Sequence, residues 1–398
     1  MDLQIFHDPS GDRSKRVHAT LWAVGLPILA ALVFLVIAIV NSERHAAPSL
    51  HHITAAQRLT PVATEDTQPA SGDAAWLPAA TAPTASRAQS LGFYMPWDEA
   101  GRDSLAAHAS DLDFIAAGLA RVTGPEHSFS FEADEHLRNV LARKDAGKLL
   151  LMVQNVDSEG RWEGRNSQRL FSQPAARRKF LSQIEKAAEA EGAAGIVLDI
   201  EDVPADAHPA YLGFLKEAHA RFARRGLLLT IAAPVADPAW DLAAYAAGTD
   251  RIVLMAYDEH WLTGEAGPIA SQPWFARTLS RAVETVGRKK AIVALGNYAY
   301  DWGGKSAAEP LTVEAAWSRA AAAGTLPAFD KASGNSHFSY EQAGVRHHVW
   351  MLDAISTWNQ LQVVRALGAE GVALWRLGSE DPGFWSALAT PHGDAPSL

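Results

Sequence analysis

Two carboxylic acids stand two residues apart at the end of an apolar run, in AGIVLDIEDV over residues 194–203. Gly195 to Leu198 form the run, and Asp199, Ile200, Glu201 and Asp202 close it ahead of Pro204. A helical pattern precedes the run, so it reads as a buried parallel strand ending in carboxylates. Side chains alternate along a strand, which turns Asp199 and Glu201 to one face. Two acids at the carboxyl end of a central strand are costly to bury without a task, and parallel-sheet and barrel enzymes put their chemistry there. The competing reading is a solvated strand end with an accidental D-x-E.

The elements that must position these acids repeat along the chain. From Leu91 onward, apolar runs recur at 91–95, 111–120, 148–155, 194–200, 227–233, 251–257, 290–297 and 370–376. Between them, stretches such as AARRKFLSQIEKAAEAEG and YLGFLKEAHARFARRG place apolar residues at helical spacing and stop at glycine. Eight such units over about 300 residues predict an α/β fold, a (β/α)8 TIM barrel, over an open doubly wound sheet. No GxGxxG follows the first run, which weakens a dinucleotide site. Short aromatic and β-branched runs after the seventh strand, FSYEQ and VRHHVWML, predict a small α+β insertion over about 303–350.

In such a barrel the strand ends share one mouth. They contribute Phe93, Tyr94, Trp97 and Asp98 after the first strand, and Gln154 and Asn155 after the third. Asp199 and Glu201 follow the fourth, Tyr257 and Asp258 the sixth, Asn297 and Tyr298 the seventh, and Trp375 and Arg376 the eighth. Acids, amides and hydroxyls interleaved with flat rings suit a carbohydrate, whose ring edge is polar and whose ring face is apolar. Trp317, Trp350 and Trp358 are read as core.

Outside the barrel, Leu21–Val40 is twenty residues without a charge. At about 1.5 Å per residue it spans roughly 30 Å, the thickness of a bilayer's hydrocarbon core. Arg13, Lys15 and Arg16 precede it, so the positive-inside rule predicts a cytoplasmic N-terminus (1–20) and export of the remainder. A cleaved signal peptide is the competing reading, but the run is longer than a usual h-region and reads as an uncleaved anchor (21–40). Residues 41–89 are rich in Ala, Pro, Thr and Ser and read as a disordered tether; 391–398 read as a tail. A net charge of −10 argues against a nucleic-acid partner. The chain has no cysteine, and its fifteen histidines lack an HExxH spacing, so neither a metal nor another cofactor is expected.

Residues 90–390 resemble glycoside hydrolase family 18, the chitinase-like barrels. The resemblance rests on Asp199 and Glu201 at the end of the fourth-strand frame, on Met255, Ala256, Tyr257 and Asp258, and on Trp375 in the eighth strand. NYAYDW (297–302) and WRLGSEDP (375–382) resemble the branch of spore-cortex and peptidoglycan glucosaminidases. This resemblance implies cleavage of β-linked N-acetylglucosamine polymers with the substrate's own acetamido oxygen as nucleophile. It makes Glu201 the acid and base, Asp199 and Tyr257 the acetamido partners, Trp375 the floor and Asp258 a hydroxyl ligand. Tyr94, Trp97, Asn297, Tyr298 and Arg376 complete the expected binding residues.

The chain departs from the family frame at Ala194 and Val197, where acids are usual, and at Gln154 and Asn155, where a small-Gly-Gly turn is usual. Val197 lies one step below Asp199 on its face, which should raise the Asp199 pKa by desolvation. The anchor, tether and barrel together resemble the front of large bacterial fusion proteins carrying a polysaccharide deacetylase and a family 2 glycosyltransferase. That layout implies an inner-membrane protein with its barrel in the periplasm or outside the cell, and synthase or deacetylase partners. The alternative function is a non-catalytic carbohydrate-binding barrel assisting polysaccharide synthesis or export.

Overall fold

Eight parallel strands close on themselves in a computed structural model that describes residues 88–304 and 307–390 and the backbone of 60–62. They are β1 (Gln89–Tyr94), β2 (Phe114–Thr123), β3 (Lys148–Gln154), β4 (Gly195–Asp199), β5 (Leu228–Pro234), β6 (Arg251–Met255), β7 (Ala291–Gly296) and β8 (Gly371–Trp375). Each pairs with its sequence neighbours, and β8 pairs with β1 to complete the barrel. All eight overlap the predicted runs. The anchor Leu21–Val40 and the tail lie outside the described residues, as does most of the tether. Among the described residues, no helix is long and apolar enough to cross a membrane.

Period-two alternation explains the two cores. One set of side chains fills the barrel: Leu91, Phe93, Ala116, Leu150, Met152, Val197, Val253, Ile292, Ala294 and Ala373. The other packs outward against the helices, as Leu151, Ile196, Leu198, Ile231 and Leu254 do with Phe180, Phe214 and Phe275. Because both faces are covered, the strands read as continuous apolar runs. Every residue of β4 is buried, Asp199 included.

β2 departs from simple alternation. A bulge between Ala117 and Ala120 shifts its register on β3, after which Arg121 lies opposite Gln154. The strand then continues to Thr123 and turns back through Ser128–Phe131 as an antiparallel hairpin. The expected end at residue 120 is therefore three residues early, because the hairpin extends the strand beyond the barrel.

The insertion begins at Ala299, immediately after β7. Strands Ala299–Gly303, Glu309–Leu311, Asn335–Gln342 and Val345–Met351 form an antiparallel sheet that helix Val313–Ala322 packs against. Ala328–Asp330 and, notably, Thr60–Val62 both pair with Asn335–Gln342. Trp350 packs in the cluster joining this sheet to the barrel loops, and Trp358 against the outer core. Trp317 is 43% exposed, contrary to its reading as core.

Replacing Met152, fully buried inside the barrel, with Ala should cost about 2–5 kcal/mol through the void left behind. Leu326→Ala, at a side chain 80% exposed, should change stability by no more than about 0.5 kcal/mol. Urea midpoints of the two variants check this difference.

Candidate active site

Asp199 ends β4 opposite Gln154 of β3, and both side chains turn into the mouth. The Gln154 amide donates to Asp199 Oδ2 at 2.8 Å, with both residues buried. Below them lies Val197, fully buried, so the Asp199 carboxyl has an apolar floor. That burial pushes its pKa up to about 6, against the Gln154 donation and a further hydrogen bond from Glu201. The desolvation expected from Val197 is present. Glu201 is raised well above the carboxylate range, first by burial and then by the negative charges of Asp199 and Asp258. Burial and mutual charge thus favour a proton shared within the carboxyl pair, with Glu201 as the donor to Asp199.

Glu201 itself lies beyond β4, in the turn. Asn155 holds that turn from both sides. Its Oδ1 accepts from the Glu201 amide at 2.9 Å, and its Nδ2 donates to the Glu201 carbonyl at 2.9 Å. The same Nδ2 reaches Ser167 Oγ at 3.1 Å. Asp202, next in the chain, takes a left-handed φ of 52°. A Cβ at Gly164 would lie 1.6 Å from the Asp202 carbonyl, so only glycine permits this approach.

Tyr257 follows β6 and is half-buried, its ring edge-on to Tyr298 at 6.1 Å. Burial and the charges of Glu201, Asp258 and Asp199 hold its hydroxyl protonated. Asp258, at φ 64°, accepts from the Tyr298 hydroxyl at 2.5 Å and from Tyr300 at 3.2 Å. Asp258 is exposed as a residue, and desolvation raises its carboxyl pKa against the two tyrosine hydrogen bonds, which lower it. Trp375 is half-buried, edge-on to Phe93 at 5.3 Å, and a cis peptide joins it to Arg376. The Arg376 guanidinium pairs with Asp98 and lies 4.6 Å from the centre of the Trp97 ring.

Asp199, Glu201, Tyr257, Asp258, Tyr298 and Trp375 therefore gather at one mouth, linked by shared charge and ring contacts. Trp97 and Arg376 form its rim on the β1 side. Two expected binding residues do not join them. Tyr94 is fully buried in the outer core, with its hydroxyl 2.6 Å from Asp134; Phe93 is the neighbour that faces inward. Asn297 is fully buried and used up by Thr357 and Asp381, so it ties loops together instead of meeting a ligand. Gln154 and Asn155, placed at the mouth from the sequence, belong to the site as the partners that hold Asp199 and the Glu201 turn. Tyr300 has no role in the sequence reading; the alternation Tyr298, Tyr300, Trp302 would have placed it beside Tyr298.

The sequence profile of glycosyl hydrolases family 18 matches residues 89–381. An uncharacterized glycosylase of Bacillus subtilis, YvbX, is 25% identical over 317 residues, 74% of this chain and 89% of that one. The Bacillus cereus spore cortex-lytic enzyme SleL superposes with a TM-score of 0.70 at 22% identity, covering 79% of this chain and 76% of its own. A chitinase from Chromobacterium violaceum superposes with a TM-score of 0.69 at 25% identity, covering 76% of this chain and 100% of its own.

The raised pKa of Asp199 has a consequence for stability. The folded state holds this proton more tightly than an unfolded aspartate, so the contribution is full below about pH 4 and is lost as pH rises through about 6. Asp199→Asn should flatten that decline, which urea unfolding between pH 4 and 7 will show. Gln154→Ala removes a donor to the carboxylate and should move the decline to higher pH.

Proposed function

The chain belongs to family 18 of the glycosyl hydrolases, and on that premise we propose that it cleaves β-linked N-acetylglucosamine-containing polysaccharide by substrate-assisted retaining catalysis. The observation that carries this reading is the enclosed carboxyl pair Asp199 and Glu201, whose pKa values burial raises, gathered at one mouth with Tyr257, Asp258 and Trp375. A glycosidic oxygen is a poor leaving group and needs a proton as its bond breaks. Glu201 retains one at neutral pH and delivers it to that oxygen. The acetamido oxygen of the sugar before the scissile bond attacks its own anomeric carbon, closing a cationic ring. Asp199, now without the Glu201 proton, accepts from the acetamido N–H and balances the charge. Tyr257 donates to the acetamido oxygen; among the described residues, no side chain takes that hydroxyl. Water then opens the ring as the Glu201 carboxylate removes its proton, restoring the acid with retained configuration.

Asp258, oriented by Tyr298 and Tyr300, suits the hydroxyls of the reacting sugar. The run Leu21–Val40, with its preceding cations, supports an inner-membrane anchor that leaves the barrel in the periplasm or outside the cell. There it would meet peptidoglycan or exopolysaccharide, and a polysaccharide synthase or deacetylase would be a fitting partner.

Val197 and Ala194, in place of acids, favour a second reading: a barrel that binds glycan without cutting it. Turnover separates the two. Glu201→Gln should reduce release of reducing ends from chitooligosaccharide or peptidoglycan by about 10²-fold or more while leaving affinity nearly intact. Asp199→Asn should be milder. Wild-type protein that binds such a glycan and releases no reducing ends from it would establish the binding barrel instead.

A further inference from the structure

A second cavity, of about 630 Å3, opens beside the mouth on the β1–β2 side. None of Asp199, Glu201, Tyr257 or Asp258 lines it. Its walls come from the loop after β1 (Pro96, Trp97), the extended end of β2 with its hairpin (Arg121, Ser130, Glu132) and the helix Glu135–Leu141. Two chains of neighbours join it to the reacting centre. Arg121 lies opposite Gln154, whose amide holds Asp199. Trp97, which lines the cavity and is 57% exposed, lies against Arg376, the residue after Trp375.

The charge pattern of this cavity differs from that of the mouth. Continued alternation from Ala116 would send Arg121 outward among the helices. The bulge after Ala117 reverses that parity and turns Arg121 to the mouth side, a common use of a bulge beside a site. Among the described residues, the Arg121 guanidinium has neither an ion pair nor a hydrogen-bond partner, although the residue is half-buried. The other cation, Arg102, is already engaged by Asp134 at 3.6 Å and by the Pro96 carbonyl at 3.3 Å. Asp134 is in turn spent on Arg102, the Tyr94 hydroxyl and two backbone amides. Glu132 and Glu135 remain at the exposed rim. A half-buried guanidinium without a partner is costly, and a planar carboxylate matches its fork.

Resting on the glycosidase reading, we infer that this cavity receives a carboxylate-bearing substituent of the glycan and that Arg121 is its counter-charge. The substrate class is then an acidic, ether- or peptide-substituted N-acetylglucosamine polymer in preference to neutral chitin. Asp199, Glu201 and Asp258 offer an acidic substituent no counter-charge at the mouth, so it is accommodated to one side. The cavity supplies that side, and the exposed Trp97 ring supplies a face for the intervening sugar.

Binding to two intact probes tests this, with Glu201→Gln as the parent chain to prevent cleavage. One probe is neutral chitotetraose; the other is a tetrasaccharide of alternating N-acetylglucosamine and lactyl-substituted N-acetylglucosamine, used free and as its methyl ester. Arg121→Gln should weaken the acidic probe about tenfold or more and leave chitotetraose and the ester within about twofold. Arg121→Lys should keep much of the preference, which excludes a mere folding defect. Equal losses for all probes, or no loss for the acidic one, would overturn the assignment. A parent chain that binds chitotetraose without favouring the acidic probe sinks this inference alone. One that binds neither glycan sinks the glycosidase reading with it.

Discussion

Two carboxyl groups enclosed over an apolar floor are the constraint around which this barrel is arranged. Burial and mutual repulsion favour a shared proton on Asp199 and Glu201, and Val197 below cannot accept one. A proton shared by the pair therefore stays at the top, at the open end of the barrel. Gln154 supplies a fixed donor to Asp199 from the adjacent strand. In this chain an amide beside the acid, not an acid beneath it, sets which way Asp199 faces. The turn that carries Glu201 is stabilised through its backbone by Asn155, leaving the side chain free of structural duty.

The mouth is electrostatically divided. On the β4–β6 side, burial raises the pKa of the acids, against hydroxyl donation from Tyr298 and Tyr300 that favours the ionised form of Asp258. On the β1–β2 side stand Arg102, Arg121 and Arg376, two of them already paired. A net charge of −10 describes the chain and conceals this local asymmetry. Among the described residues, Asp199, Glu201 and Asp258 share no side-chain partner with these arginines, so the two sides can vary independently.

Much of this was legible in the sequence. Eight strands buried on both faces leave eight continuous apolar runs, and the acids after the fourth identify the mouth. What escaped lies where alternation is broken or spent. Tyr94 and Phe93 both stand at the end of β1, and only parity with Leu91 shows that Phe93 faces inward. Asn297 has the chemistry of a ligand residue, but Thr357 and Asp381, sixty and eighty-four positions away, claim it. Nothing local in the sequence announces those partners. The β2 bulge is equally silent, because one displaced residue among alanines and glycine leaves no trace in an apolar run.

The short strand Thr60–Val62 bears on mechanics. It joins the chain ahead of the barrel to Asn335–Gln342, which continues through Val345–Met351 to Ala299–Gly303, the strand that carries Tyr300. Tyr300 and its neighbour Tyr298 hold Asp258. Tension applied upstream of Thr60 thus enters the fold at the insertion sheet, not at β1. Backbone hydrogen bonds in that sheet would transmit the pull to the two tyrosines before the barrel staves felt it. A pull on that segment would be felt first at Tyr300 and Tyr298, and through them at Asp258.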